Sequence, residues 1–192
     1  MARTSFRAYH DALQSARILV QRAEGLFGRD VAMAANVQWM RTHRGTSGKV
    51  IYWAHNEHVT KGESPWTGGV TAGHLLRESL GDAYFSIGTL TAAGSFTQWE
   101  RQQNQPFRVV ATPIPAPRTD SYESFFRQRG AQTLLVPLRG DVPSWLAGPA
   151  FYNTASTAGG VPGLTASLPA KFDAVIYIES TTPLKLLPAD TN

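Results

Sequence analysis

Apolar side chains recur at Phe6, Tyr9, Leu13, Ala16, Leu19 (or Val20) and Ala23, three and four residues apart. That is the period of an amphipathic helix, so residues 5 to 27 are expected to coil, with Gly25 as the stop. A second stripe of Val31, Ala34, Val37 and Met40 predicts a helix from about Asp30 to Thr42, ended by the stretch Gly45 to Gly48. The pattern then changes. Val50-Ile51-Tyr52-Trp53-Ala54 is a short apolar run bounded by turn residues, as a buried parallel strand would be. Residues 59 to 69, rich in Gly, Thr and Pro, read as a loop, followed by a helix from about Val70 to Leu80 that Gly81 stops. Strands are expected at residues 83 to 91 and from Phe107 to Thr112, with Pro113, Pro115 and Pro117 breaking any continuation. Asp120 is placed to cap a helix carrying Glu123 at its third position and ending at Gly130. Leu134-Leu135-Val136 supplies another strand, and residues 153 to 170, rich in Gly, Ser, Thr and Ala, read as a mobile loop. The last strand is Ala174-Val175-Ile176-Tyr177-Ile178, and no internal repeat is visible.

Short apolar strands alternating with helices predict an α/β architecture, a mostly parallel sheet flanked by helices. Such sheets hold their ligands beyond the carboxyl ends of the strands, so functional groups should follow strands directly. His55 follows the first one.

Composition narrows the picture without redirecting it. The chain has 192 residues, 42% hydrophobic and 17% charged, which suits a single domain. At this size roughly 70% of the unfolded surface can be buried, so no staple is required. There is no cysteine, which removes disulfides, thiolate metal sites and a cysteine nucleophile together. The formal charge is +4, from 18 basic and 14 acidic side chains. The basic residues are scattered and no nucleic-acid-binding signature accompanies them, so no nucleic-acid partner is expected. A mild positive field of this kind helps attract an anionic substrate. No run approaches the roughly 18 apolar residues of a membrane span, and no signal-peptide pattern opens the chain. A soluble, cytoplasmic protein with no membrane partner is the expectation.

The candidate chemistry lies in His55-Asn56-Glu57-His58. An imidazole takes and gives protons near neutrality. One ring would deprotonate or hold a water while the other donates to a developing oxyanion or leaving group. The Asn56 amide adds a neutral donor and acceptor. Glu57 would orient an imidazole, unless its neighbouring position points it away. A metal site would use the same spacing but needs a third ligand. Neither His10 nor His43 is placed for that, and His74 lies on a predicted helix, so no metal and no cofactor is expected. No Gly-x-Ser-x-Gly elbow, phosphate loop or dinucleotide fingerprint occurs. Ser95 in Gly94-Ser95-Phe96 reads as a turn serine after a strand, with ligand contact as the alternative.

Six blocks in one order carry a family resemblance. They are Arg29-Asp30-x-x-Met33-Ala34-x-Asn36-Val37-x-Trp39-Met40, then Val50 through Val59, then Gly73-His74-Leu75-Leu76-Arg77-Glu78-x-Leu80-Gly81-Asp82-x-Tyr84. Gly94-Ser95-Phe96, Ser121-Tyr122-Glu123 and the terminal run from Phe172 to Leu184 follow. Together they resemble the erythromycin esterase family over most of residues 29 to 187. The resemblance implies a metal-independent hydrolase that adds water across an ester or lactone. His55 and His58 would be the catalytic histidines, with Asp30 and Glu123 approaching the cleft. For Asp30 the plain alternative is a helix cap, and for Glu123 a capping-box partner. Full-length members also carry a Gly-Glu-x-x-His-Gly segment with a base histidine, and nothing in this chain matches it. The chain therefore reads as one erythromycin-esterase-like lobe of a minimal or truncated relative, behind a helical lead-in over residues 1–28. A small-molecule or polymeric ester is the expected substrate. The competing expectation is a catalytically incomplete binding module that forms a homodimer through an open sheet edge.

Overall fold

The computed structural model describes residues 2–23, 28–43, 49–64, 69–100, 108–153 and 163–185. The expected helix stops at Gly25 and from Gly45 to Gly48 lie outside them. The chain divides into two compact units, residues 1–86 and 87–192.

The first unit is helical. α1 (Ala2–Ala23) and α2 (Arg29–His43) form where the apolar spacing predicts. The stripe of α1 nevertheless faces outward, with Phe6 and Leu19 both 68% exposed. Amides join the two helices instead. Buried Gln14 donates to the Asn36 side-chain oxygen at 2.6 Å, and the Asn36 amide donates to Gln21 at 3.1 Å. From α2, Ala34 and Val37 enter a small core with Ala72 and Leu76 of α4 (Ala72–Leu80). Met33, Val50, Tyr52, Leu75, Leu80 and Tyr84 pack around that core.

Residues 50–54 are not a strand, which corrects the expectation of a buried one. They are extended, and Val50 and Tyr52 alternate inward as period two requires. Ile51 and Trp53, the outward pair, are 89% and 92% exposed. Among the described residues this segment makes no backbone–backbone hydrogen bond. The side-chain pattern of a strand is thus present without the ladder that defines one.

A one-turn helix, α3 (Asn56–Val59), follows at once. Gly73 sets its distance from α4: a Cβ there would lie 2.4 Å from the carbonyl oxygens of both Val59 and Thr60. Thr71 caps α4 by accepting the His74 N–H at 2.9 Å, and its hydroxyl also lies 2.9 Å from the Thr60 carbonyl. At the far end Gly81 takes φ 55°, opening a 3-10 turn over Gly81–Ala83.

The second unit holds a four-stranded sheet of β1 (Ile87–Glu100), β2 (Arg108–Pro113), β3 (Thr133–Pro137) and β6 (Ala174–Thr181). The order is β2-β1-β6-β3. β1 and β6 run parallel, while β1–β2 and β3–β6 are antiparallel. A second sheet pairs β4 (Ala150–Tyr152) with β5 (Leu164–Ala166), also antiparallel. The mostly parallel sheet expected from the alternation of elements is therefore corrected to a mixed, mainly antiparallel one. The link between β1 and β2 is short, and a parallel neighbour needs a crossover of a dozen residues or more. The expected strand at residues 50–54 takes no place in either sheet.

β1 changes partners along its length. Ile87 to Gly94 pair with β6, and Ser95 to Glu100 pair with β2. Gly94, at φ 96°, is the pivot: a Cβ there would lie 2.0 Å from the Thr181 carbonyl oxygen. Ser95 consequently sits inside a strand opposite Pro113, not in a turn after one.

α5 (Tyr122–Gln128) packs against β1 and β6, with the Phe126 and Tyr177 rings 5.2 Å apart. Its cap is Ser121, which accepts the Ser124 N–H at 3.1 Å, and Glu123 is the second helical residue. Asp120 instead pairs with Arg118 at 2.7 Å on the surface, so the predicted capping box is not formed. α6 (Ser144–Ala147) and α7 (Leu168–Lys171) complete the unit. With β5 and α7, part of the stretch expected to be a mobile loop is regular structure; residues 154–162 of that stretch lie outside the described residues. Among the described residues no helix is long and apolar enough to cross a membrane.

Candidate active site

The site starts from a sharp change of direction. After the extended residues 50–54, His55 holds β-region dihedrals (φ −61°, ψ 152°) and caps α3 with its own ring. Its Nδ1 accepts the Glu57 backbone N–H at 3.3 Å. A neutral imidazole has one donor and one acceptor nitrogen, so this contact leaves the proton on Nε2. Crowding by the protein lowers the His55 pKa from its usual 6.5. Glu57 opposes that shift and nearby His58 adds to it. His55 remains an exposed residue, so its Nε2–H stands available to a ligand.

His58, one helical turn on, is bound at both nitrogens. Nδ1 lies 2.9 and 3.1 Å from the two carboxylate oxygens of Asp30. Nε2 lies 2.5 Å from Nη2 of Arg29. A guanidinium only donates, so Nε2 accepts, and neutral His58 carries its proton on Nδ1, directed at Asp30. Asp30 is buried and also accepts the Ala72 N–H at 2.8 Å, which anchors it to the start of α4. Asp30 thus caps a helix other than its own and orients an imidazole as well.

Two further groups frame the pair. Tyr52 donates to the sulfur of Met33 at 3.1 Å, and burial together with the Asp30 charge pushes its pKa up to about 12. Glu57 is buried and accepts the Ser64 hydroxyl. The Glu57 carboxylate is thus engaged by Ser64, while its backbone N–H selects the His55 tautomer. Asn56 is buried at the first position of α3, where its carbonyl accepts the Thr60 N–H at 3.0 Å.

Of the residues singled out in the sequence, the first unit thus brings His55, Asn56, His58 and Asp30 together. Glu123 and Ser95 belong to the second unit. Glu123 is fully buried, and burial raises its pKa from 4.5 to about 7. One of its oxygens accepts the Asn153 N–H at 2.7 Å, while Oε2 has no hydrogen-bond partner among the described residues. His74 lies within 3.2 Å of the Lys61 carbonyl and 3.5 Å of Glu78, away from the paired histidines in role. Among the described residues no three His, Cys, Asp or Glu side chains converge as metal ligands.

The sequence reading gave no role to Arg29, Tyr52, Ser64 or Thr71. Arg29 did carry a signal. It is a cation in the first turn of a helix, where the macrodipole disfavours one.

The model of the family described as erythromycin esterase matches residues 1–181. The chain belongs to the erythromycin esterase family. Solved structures similar to it include a Bacillus cereus protein, at 24% identity and a TM-score of 0.66, over 82% of this chain and 39% of that one. A succinoglycan biosynthesis protein matches at 22% identity and a TM-score of 0.65, covering 80% of this chain and 38% of its own. A mutant of the erythromycin esterase EreC in its open conformation matches at 24% identity and a TM-score of 0.62, over 79% and 36%. These likenesses concern the fold, and the chain spans well under half the length of each structure. No curated protein matches it. Family membership agrees with the resemblance read from the six sequence blocks.

Proposed function

We propose that the chain carries the histidine centre of a metal-independent carboxylic ester hydrolase. The observation that supports this most is the bond from His58 Nδ1 to the buried Asp30 carboxylate. A carboxylate on one imidazole nitrogen orients the ring and stabilises the imidazolium that forms when the other nitrogen takes a proton. In this reading Nε2 of His58, once clear of Arg29, removes a proton from water. The water oxygen bonds to the ester carbonyl carbon, and the Nε2–H of His55 donates to the developing oxyanion. Collapse breaks the bond to the alkoxide, which takes the proton back from His58, leaving an acid and an alcohol. The lowered pKa of His55 suits that role, since a neutral donor is kept neutral. The Arg29 charge at Nε2 speaks for chemistry without a metal, because it stands where a metal ion would bind.

His55 is exposed and His58 half-buried, three residues apart at the start of α3. Such an open site favours small-molecule or polymeric esters. Release of acid from ethyl and 4-nitrophenyl esters by the parent, His55→Ala and His58→Ala tests the reading. Each variant should fall by about a hundredfold or more in kcat. Equal rates in all three would remove it.

A further inference from the structure

We infer that Arg29 is the specificity residue of this site: its guanidinium receives an anionic group, above all a carboxylate, carried by the ester itself, and its departure uncovers the base. The inference rests on the hydrolytic reading and adds the substrate class to it.

Arg29 is exposed, and its hydrogen bond goes to Nε2 of His58. Among the described residues it forms no ion pair with Asp or Glu. That is a poor use of a guanidinium. One imidazole lone pair satisfies one of its five N–H groups, whereas a carboxylate takes two in parallel and brings a full negative charge. An incoming carboxylate is therefore the better partner. Its capture draws the guanidinium off Nε2, the lone pair that the reaction needs.

Placement points the same way. Arg29 opens α2, where the helix macrodipole opposes a cation, so the stability of α2 does not account for it. An anion bound there meets both the side chain and the positive end of the helix. Because Nη2 lies 2.5 Å from Nε2, the bound anion and the attacked carbonyl are separated by only a few bonds. Half-esters of short dicarboxylic acids have that geometry. The plain alternative is that Arg29 only balances the Asp30 charge through the neutral imidazole between them.

The test compares ethyl hydrogen succinate with ethyl 4-methylpentanoate, in which an isopropyl group replaces the carboxylate. Rates are read in a pH-stat with the full chain. The parent should prefer the succinate by about tenfold in kcat/KM, as one charge-assisted contact implies. Arg29→Met should abolish that preference, and Arg29→Lys should keep part of it. A ratio near one in the parent, or the same ratio in Arg29→Met, overturns the inference. A second readout does not need turnover. With nitrogen-15 histidine, sodium succinate should shift the Nε2 resonance of His58 in the parent and leave Arg29→Met unmoved. No shift in the parent overturns the inference. A shift without hydrolysis of either ester would instead sink the hydrolytic reading and leave the anion site standing.

Discussion

Asp30 receives an imidazole N–H and a backbone N–H on one buried carboxylate. The two contacts explain why a charge is tolerated there: each replaces a water that burial removed. Replacing it tests the role of the pair. In Asp30→Asn the amide can donate to Nδ1, which moves the His58 proton to Nε2 and removes the base. Ester hydrolysis should fall in kcat by roughly 10^3 to 10^4, with a smaller change in KM, as a wrong tautomer causes elsewhere. A kcat within a few-fold of the parent would show that the Asp30 bond is structural. At this scale His55 and His58 were legible because they are three positions apart in the chain. The partners of His58 were not, since Arg29 and Asp30 lie 29 and 28 residues away. Asp30 was named as a site residue, yet its dual role needed coordinates.

Elements reach their positions through close contacts that a side-chain pattern does not display. Gly73 is one of them, for the end of α3 rests on it at distances that leave no room for a methyl group. Gly73→Ala should therefore cost about 1–3 kcal/mol in urea or thermal unfolding, the range of overpacked cores. It should also displace His58 relative to Asp30 and lower turnover. Full stability together with full activity would contradict the packing account. The helices α1, α2 and α4 were readable because their periodicity is local. Residues 50–54 carry the alternation of a strand with equal clarity, but a strand exists by pairing, and pairing is not local. The same limit explains the sheet. The alternation of elements argued for parallel neighbours, while the short link between β1 and β2 made them antiparallel. Asp120 and Ser121 stand side by side, and the surface pairing of Asp120 with Arg118 left the cap to Ser121.

For the molecule as a whole, pH acts through two groups that the protein shifts by taking them partly out of water, Glu123 and His55, with opposite effects on stability. Glu123 has a folded pKa of about 7 against an ordinary 4.5, so folding takes up a proton between those values. Its contribution to stability is complete below about 4.5 and is lost as pH rises to about 7. The shift corresponds to about 3 kcal/mol, as an order of magnitude. Glu123→Gln, which stays neutral, should raise the melting temperature above pH 7 and flatten its dependence on pH from 4.5 to 7. Melting curves that keep the parent's slope would refute the assignment. His55 works the other way. Its lowered pKa contributes fully above the usual 6.5 and is lost as pH falls below it.

Local order in the chain determined the helices α1, α2 and α4, the histidine pair, the absence of thiol chemistry and the family, because each is written in neighbouring residues or in blocks of fixed order. The tertiary structure decided the rest: which strands pair, which hydroxyl engages the Glu57 carboxylate, and which groups close on the two nitrogens of His58. Those outcomes depend on groups far apart in sequence competing for the same hydrogen-bond donors and the same space. Burial settles such competition, and burial is a property of the assembled chain.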